Sequence, residues 1–233
     1  MSRTMHLLTG TALLLLTVSA AAHDYWLEPD GDGYLLYRGH RHSGHEGAAV
    51  VPYEPGIVQR AVCADGSGQD RTVRPGDRYP VRIPGPCSAV YVEADSGLWT
   101  QTLTGTRNLP RDQVSGALRS WRSVESVKRL EAWSPALARP VSDGLELVPT
   151  EDPFALAPGD KLRLLVTWQG RPRAGVAVAY DGRARGLTGK DGRINIRLRH
   201  RGPQSISASI DDPSAEPGTD KVVRSTALIF DLR

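Results

Sequence analysis

The fold class follows from residues 158–198, which read PGDKLRLLVTWQGRPRAGVAVAYDGRARGLTGKDGRINIRL. Apolar and polar side chains alternate in Lys161–Trp168 and again in 193–198, and this two-residue period is typical of strands with one buried face. Turns rich in Gly, Pro and Asp separate these segments, with the tightest at 188–192. The stretch predicts a small immunoglobulin-like or transthyretin-like β-sandwich over residues 151–233.

Turn residues also separate short segments in the N-terminal half. Short β-prone runs alternate with turn residues between 34 and 103, which predicts an antiparallel, sandwich-like β domain over 23–150. Apolar residues recur at roughly helical spacing between 110 and 133, which predicts a short helical insertion. With 24 Gly and 17 Pro in 233 residues, the chain is expected to be mainly β.

The first 22 residues are expected to form a cleaved signal peptide. Arg3 precedes an apolar stretch over 7–20, and the small residues of 20–22 suit signal peptidase cleavage after Ala22. The apolar stretch is shorter than the ~20 residues of a membrane span. We therefore expect an exported protein that does not span the membrane after cleavage.

Cys63 and Cys87 are the only cysteines, and they are expected to form a disulfide in an oxidising compartment. A metal-binding thiolate pair is the alternative. Their spacing does not match Cys-x-x-Cys, so the disulfide is favoured.

Charge and motifs exclude several function classes. The formal net charge is +3, and no basic run is concentrated enough to predict nucleic-acid binding. The sequence has neither a nucleophile elbow nor a phosphate-binding glycine motif.

Three histidines fall within six residues, at His40, His42 and His45. In a strand, His40 and His42 would share a face, and the turn at 43–44 could bring His45 toward them. Such a cluster suits nickel, cobalt, copper or zinc. The alternative is a polar turn whose histidines face water.

His23 would be the first residue of the chain cleaved after Ala22. Its α-amino group and its imidazole could then chelate one metal ion, an arrangement that favours copper(II) or nickel(II). If cleavage falls elsewhere, His23 is an ordinary terminal residue. His200 lies between two arginines and is expected to face solvent.

The opening heptapeptide of the mature chain, 23–29 (HDYWLEP), resembles that of a bacterial periplasmic family whose members accompany nickel or cobalt uptake transporters of the energy-coupling-factor type. The resemblance continues in short motifs, which are 145–149 (LELVP), 152–153 (DP), 158–160 (PGD), 170–172 (GRP), 175–176 (GV) and 188–192 (TGKDG). It implies a periplasmic, β-rich protein whose C-terminal module, 151–233, is carboxypeptidase-regulatory-like or transthyretin-like. It also implies that the protein binds nickel or cobalt for a membrane importer, with His23 as the matching N-terminal histidine.

We therefore expect a non-catalytic metal carrier with the ligands His23, His40, His42 and His45. A scaffold or adhesion module without metal is one alternative. A copper enzyme is another, because a mature N-terminal histidine on a β-sandwich also resembles the copper centre of lytic polysaccharide monooxygenases. Metal affinity of the carrier should fall below about pH 6, where amine and imidazole nitrogens become protonated.

Overall fold

The computed structural model describes residues 24–40 and 49–233, which contain sixteen β-strands and four 3-10 helices of three residues each. The strands are β1 (Asp24–Asp30), β2 (Gly33–Gly39), β3 (Val58–Ala64), β4 (Asp70–Thr72), β5 (Val81–Pro84), β6 (Ala89–Thr102), β7 (Gly105–Arg107), β8 (Arg119–Leu130), β9 (Glu146–Pro149), β10 (Lys161–Trp168), β11 (Arg171–Pro172), β12 (Ala177–Tyr180), β13 (Arg183–Leu187), β14 (Arg193–Arg197), β15 (Gly202–Pro213) and β16 (Lys221–Leu232). The 3-10 helices are Pro55–Ile57, Arg111–Gln113, Pro135–Leu137 and Pro153–Ala155. No helix within the described ranges has the length and apolar character needed to cross a membrane.

The central layer is a nine-stranded sheet in the order β13-β12-β15-β16-β8-β6-β3-β4, with β7 on β6. Its neighbours are antiparallel except β16 and β8, which run parallel from the pair Lys221–Trp121 to the pair Ile229–Arg129. The strands on either side of residue 150 thus share this sheet. The division into domains 23–150 and 151–233 stays a prediction.

A smaller sheet covers each face of the central one. Successive residues of a strand point to opposite faces, so in β6 Tyr91 enters one core and Val92 the other. The first core lies against the sheet of β9, β10, β11 and β14, and the second lies against the sheet of β1, β2 and β5. The chain is thus a three-layer β structure, which confirms the mainly β, sandwich-like prediction.

The helical insertion predicted between 110 and 133 is wrong. Most of that segment is β8, and a single 3-10 turn at Arg111–Gln113 precedes it. β8 is covered on both faces, with Val127 in the second core and Leu130 in the first. A strand buried on both faces loses simple alternation, so its apolar residues can fall at helix-like intervals.

The predicted disulfide is present. Cys63 at the end of β3 is bonded to Cys87, just before β6, with a Cα–Cα distance of 5.3 Å. Both cysteines belong to the second core.

Candidate functional site

The site of interest lies where β1 begins and β2 ends. The two strands are antiparallel, and Asp24 pairs with Gly39. His40 follows Gly39, so the only predicted ligand among the described residues lies at this end of the sheet. His40 is half-buried.

The chain that leaves at His40 returns to the same place. The backbone N–H of His40 donates to the carbonyl of Ala49 at 3.3 Å, and that of Val51 donates to the carbonyl of Arg38 at 2.7 Å. A β-carbon on Gly39 would lie 2.2 Å from the Ala49 oxygen. This approach therefore requires glycine at position 39.

The other predicted metal ligands, His23, His42 and His45, lie outside the described residues. Among residues 24–40 and 49–233, no group of three or more His, Cys, Asp or Glu side chains is arranged to hold a metal ion.

A buried carboxylate lies beneath this end of the sheet. Glu125 of β8 is 5% exposed, and its Oε2 has no hydrogen-bond partner within residues 24–40 and 49–233. Burial raises the pKa of Glu125 to about 7 against the opposing effect of Arg38, and Asp24 and Asp95 add to the rise. Near neutral pH this carboxyl is therefore close to the midpoint of its titration.

Arg38 supplies the positive charge in the same region. It is 8% exposed, and its guanidinium carbon lies 5.7 Å from the ring centre of Trp99 and 6.0 Å from that of Tyr25. At these distances both rings attract the cation. The Tyr25 hydroxyl, like Glu125 Oε2, is buried and has no hydrogen-bond partner in the described part of the chain.

A cavity of about 300 Å³ opens beside Arg38. Its other lining residues are Pro52, Tyr53, Glu54, Ile57, Ser96 and Asn108. The end of β1 and β2 thus combines a cavity, a buried cation and a buried carboxylate with an unbonded oxygen. Buried groups of this kind are enriched at functional sites.

Sequence reasoning missed Arg38 and Glu125. Glu125 lies in the segment that was predicted to be helical, where a glutamate is unremarkable. The available signal was its place between Val124 and Val127 in a run of Ser and Val residues, which is a strand-like composition.

A larger cavity of about 550 Å³ is lined by residues of β3, β6, β8 and β16, and Glu125 is one of them. Arg122 there donates to Asp95 at 2.5 and 2.8 Å, and the Arg224 guanidinium carbon lies 4.6 Å from the ring centre of Trp168. None of its described lining residues is a histidine. Of the predicted metal ligands only His40 is among the described residues, and it does not line this cavity.

His200 is exposed, as its position between arginines predicts. Its Nε2 lies 2.9 Å from Asp181 Oδ2, and its ring stacks on Tyr180 at 6.0 Å. The Arg201 carbonyl and then Asp181 raise the pKa of His200. It provides a control position on a histidine outside the candidate site.

The comparisons with known proteins give one match. A family model described as a domain of unknown function (DUF4198) matches residues 20–212. Neither the search of curated proteins nor the search of solved structures found a match.

Proposed function

The chain belongs to the DUF4198 family, and we propose that it is an exported periplasmic protein that captures nickel or cobalt and delivers it to a membrane transporter. The ligands in this proposal are nitrogen atoms of His23, His40, His42 and His45. The function is binding and transfer, without a catalysed reaction.

One observation carries the proposal, namely the pairing of Asp24 with Gly39. His23 is bonded to Asp24 and His40 to Gly39, and bonded residues have Cα atoms about 3.8 Å apart. The segment with His42 and His45 starts and ends at the hydrogen-bonded residues His40 and Ala49. This register supports combining two ligand groups, predicted separately from the sequence, into one site.

Two carboxyls in this region would balance part of the positive charge of Arg38 and of a bound divalent cation. Glu125 offers a buried oxygen without a hydrogen bond, and Asp24 adds a second carboxyl at the end of β1. A nearby cation favours the ionised form of such groups, and the attraction is stronger where burial has removed water. Nitrogen ligands with carboxylates around them suit nickel and cobalt, and copper and zinc also bind such sets.

The test begins with mass spectrometry of the exported protein, which should show a chain that starts at His23. The same material is then titrated with nickel, cobalt and copper, and we expect one tightly bound ion per chain. A correctly processed chain with no stoichiometric metal would overturn the proposal and favour a scaffold. Peroxide production with copper and a reductant would favour the copper enzyme instead.

Two histidine variants test where the metal ion binds. His40→Ala should weaken nickel binding by at least about tenfold, because removing even a residue that orients a ligand costs 10- to 100-fold. His200→Ala is the matched control and should leave the affinity unchanged, because this histidine already bonds Asp181 outside the candidate site. Equal losses in the two variants would contradict the assignment.

A further inference from the structure

The positive charge of the chain is concentrated in one region. Residues 161–201 contain eleven Lys or Arg residues, and their only acidic residues are Asp181 and Asp191. The whole chain has 29 basic and 26 acidic residues, so the remainder is acidic overall. The protein is electrically asymmetric.

Strand pairing brings part of this charge onto one surface. In the β10–β14 pair, Lys161 lies opposite Arg197, Arg163 opposite Asn195 and Leu165 opposite Arg193. The intervening side chains, Leu162, Leu164 and Ile196, are buried in the first core. Lys161, Arg163, Arg193 and Arg197 are exposed, so alternation directs them to the solvent side of the sheet.

We call these four residues, with Lys190 and Arg199 beside them, the basic face. Lys161, Lys190 and Arg199 form no ion pair with a described residue, whereas Arg163 pairs with Glu151 at 3.1 Å and Arg193 with Asp191 at 3.8 Å. The face therefore keeps a net positive charge.

This arrangement costs stability locally. Like charges directly opposite each other on neighbouring strands are destabilising, and Lys161 faces Arg197 in that way. Arg163 is also diagonal to both Arg193 and Arg197 in the register. A cluster with this cost is consistent with a role in binding an anionic partner.

We propose that the basic face docks onto an anionic phospholipid bilayer. A sheet presents its cations in a plane, which matches a plane of headgroups. Reading duplex DNA takes an element that enters a groove, and binding single strands takes aromatic stacking platforms. The six residues of the basic face include no aromatic side chain, and the choice of a membrane rests on the proposed function, which delivers metal to a membrane protein.

Docking in this way leaves the candidate metal site accessible. The basic face belongs to the layer on the first core, whereas β1 and β2 belong to the layer on the second core. Packed sheets lie about 10 Å apart, so the β1–β2 layer is about 20 Å from the layer that meets the membrane. Metal binding and vesicle binding can therefore be measured independently.

The test is co-sedimentation of the metal-free chain with vesicles of phosphatidylcholine alone or with a quarter of phosphatidylglycerol. The chain should bind the anionic vesicles only, and binding should weaken as salt rises, because ions screen the attraction. A chain that binds neither vesicle, or both equally, would overturn the proposal. Tighter binding to a DNA duplex at equal phosphate concentration would identify a nucleic acid as the partner and overturn the choice of a membrane.

Two triple variants distinguish the effect of the basic face on vesicle binding from the effect of net charge alone. Lys161→Glu with Arg193→Glu and Arg197→Glu should weaken vesicle binding at least about 100-fold, since each cation near an anionic membrane contributes about fivefold. Arg74→Glu with Arg78→Glu and Arg107→Glu changes the net charge equally at exposed positions outside the face. This control should lose far less, and an equal loss would contradict docking by the basic face.

A single variant excludes misfolding as the cause. Lys161→Glu places opposite charges across from each other, so its thermal midpoint should equal or exceed that of the parent while vesicle binding falls at least about fivefold. Unchanged vesicle binding in this folded variant would contradict the proposal. Nickel affinity of the Lys161, Arg193 and Arg197 triple variant should match the parent, so that failure of either proposal is recognised separately.

Discussion

Two buried glutamates, Glu146 in β9 and Glu125 in β8, differ in how their charge is satisfied. Glu146 accepts from Lys128 Nζ at 2.7 Å, from the Val141 and Ser142 backbone N–H groups at 3.0–3.2 Å and from the Ser142 hydroxyl at 3.0 Å. Glu125 faces the second core, and its Oε2 accepts no hydrogen bond from a residue that the structure describes. Glu146 is 0% exposed and Glu125 is 5% exposed.

The difference indicates different roles. The carboxylate of Glu146 fixes the segment that leads into β9 and neutralises Lys128, which is also fully buried. Its partners account for the burial of the charge. Glu125 lacks such a set, and burial shifts its titration toward neutral pH. The first glutamate is structural, and the second is placed where binding or proton exchange can use it.

The largest effect is expected from Glu146→Gln. The variant leaves the Lys128 ammonium buried without its counter-charge, and breaking a buried pair in this way costs about 3–5 kcal/mol of the free energy of unfolding. Urea unfolding followed by fluorescence measures it. Glu151→Gln, which breaks the exposed pair with Arg163, is the control and should cost less than about 1 kcal/mol. Similar losses in the two variants would contradict a structural role for Glu146.

A smaller, pH-dependent effect is expected from Glu125→Gln. The folded-state pKa of Glu125 is about 7, above the ordinary value of 4.5, so between these values the folded chain binds more protons than the unfolded chain. Its contribution to stability is thus present below about pH 4.5 and lost as the pH rises through 7, by up to about 3 kcal/mol.

Glutamine does not titrate, so the variant does not lose this contribution to stability as the pH rises. Its free energy of unfolding should match that of the parent near pH 4.5 and exceed it by about 1–3 kcal/mol at pH 8. Unfolding curves at a series of pH values give this difference directly. A difference between the two proteins that stays constant from pH 4.5 to 8 would remove Glu125 from the titrating groups.

The smallest effects are expected from two buried tyrosines. Like the two glutamates, they differ in whether the described residues supply a hydrogen-bond partner. The Tyr25 hydroxyl has no hydrogen-bond partner among the described residues, so Tyr25→Phe should change the free energy of unfolding by less than about 0.5 kcal/mol. The Tyr180 hydroxyl donates to Gln204 at 2.6 Å and accepts from the Arg199 N–H at 3.1 Å, so Tyr180→Phe should cost about 1–2 kcal/mol. The reverse order in chemical unfolding would show that Tyr25 has a partner in solution.

Predictability from the sequence differs between strands. Lys161–Trp168 was predicted with the bounds that β10 has, because Leu162, Leu164 and Val166 enter one core while the intervening residues face out. β8 was predicted to be helical, because it contributes apolar residues to both cores. The two-residue period is informative only where one face is polar.

Features built by distant pairing could not be predicted from local pattern. The basic face forms because β10 pairs with β14, about thirty residues later, and within each strand its cations alternate with buried apolar residues. The excess of basic residues in 161–201 is visible in the sequence, but their position on one surface depends on this strand pairing. His40 was recognised from its neighbours in the sequence, whereas Glu125 and Arg38 meet only through the packing of β8 against β1 and β2.

We propose that the N-terminal histidine and the histidine cluster bind one metal ion together. The most direct test compares the nickel affinity of the chain that starts at His23 with that of the same chain carrying one additional alanine before His23. The extension converts the α-amine into an amide and leaves every described residue unchanged. We predict a loss of affinity of at least about tenfold. Equal affinities for the two chains would remove the amine from the site and contradict the claim.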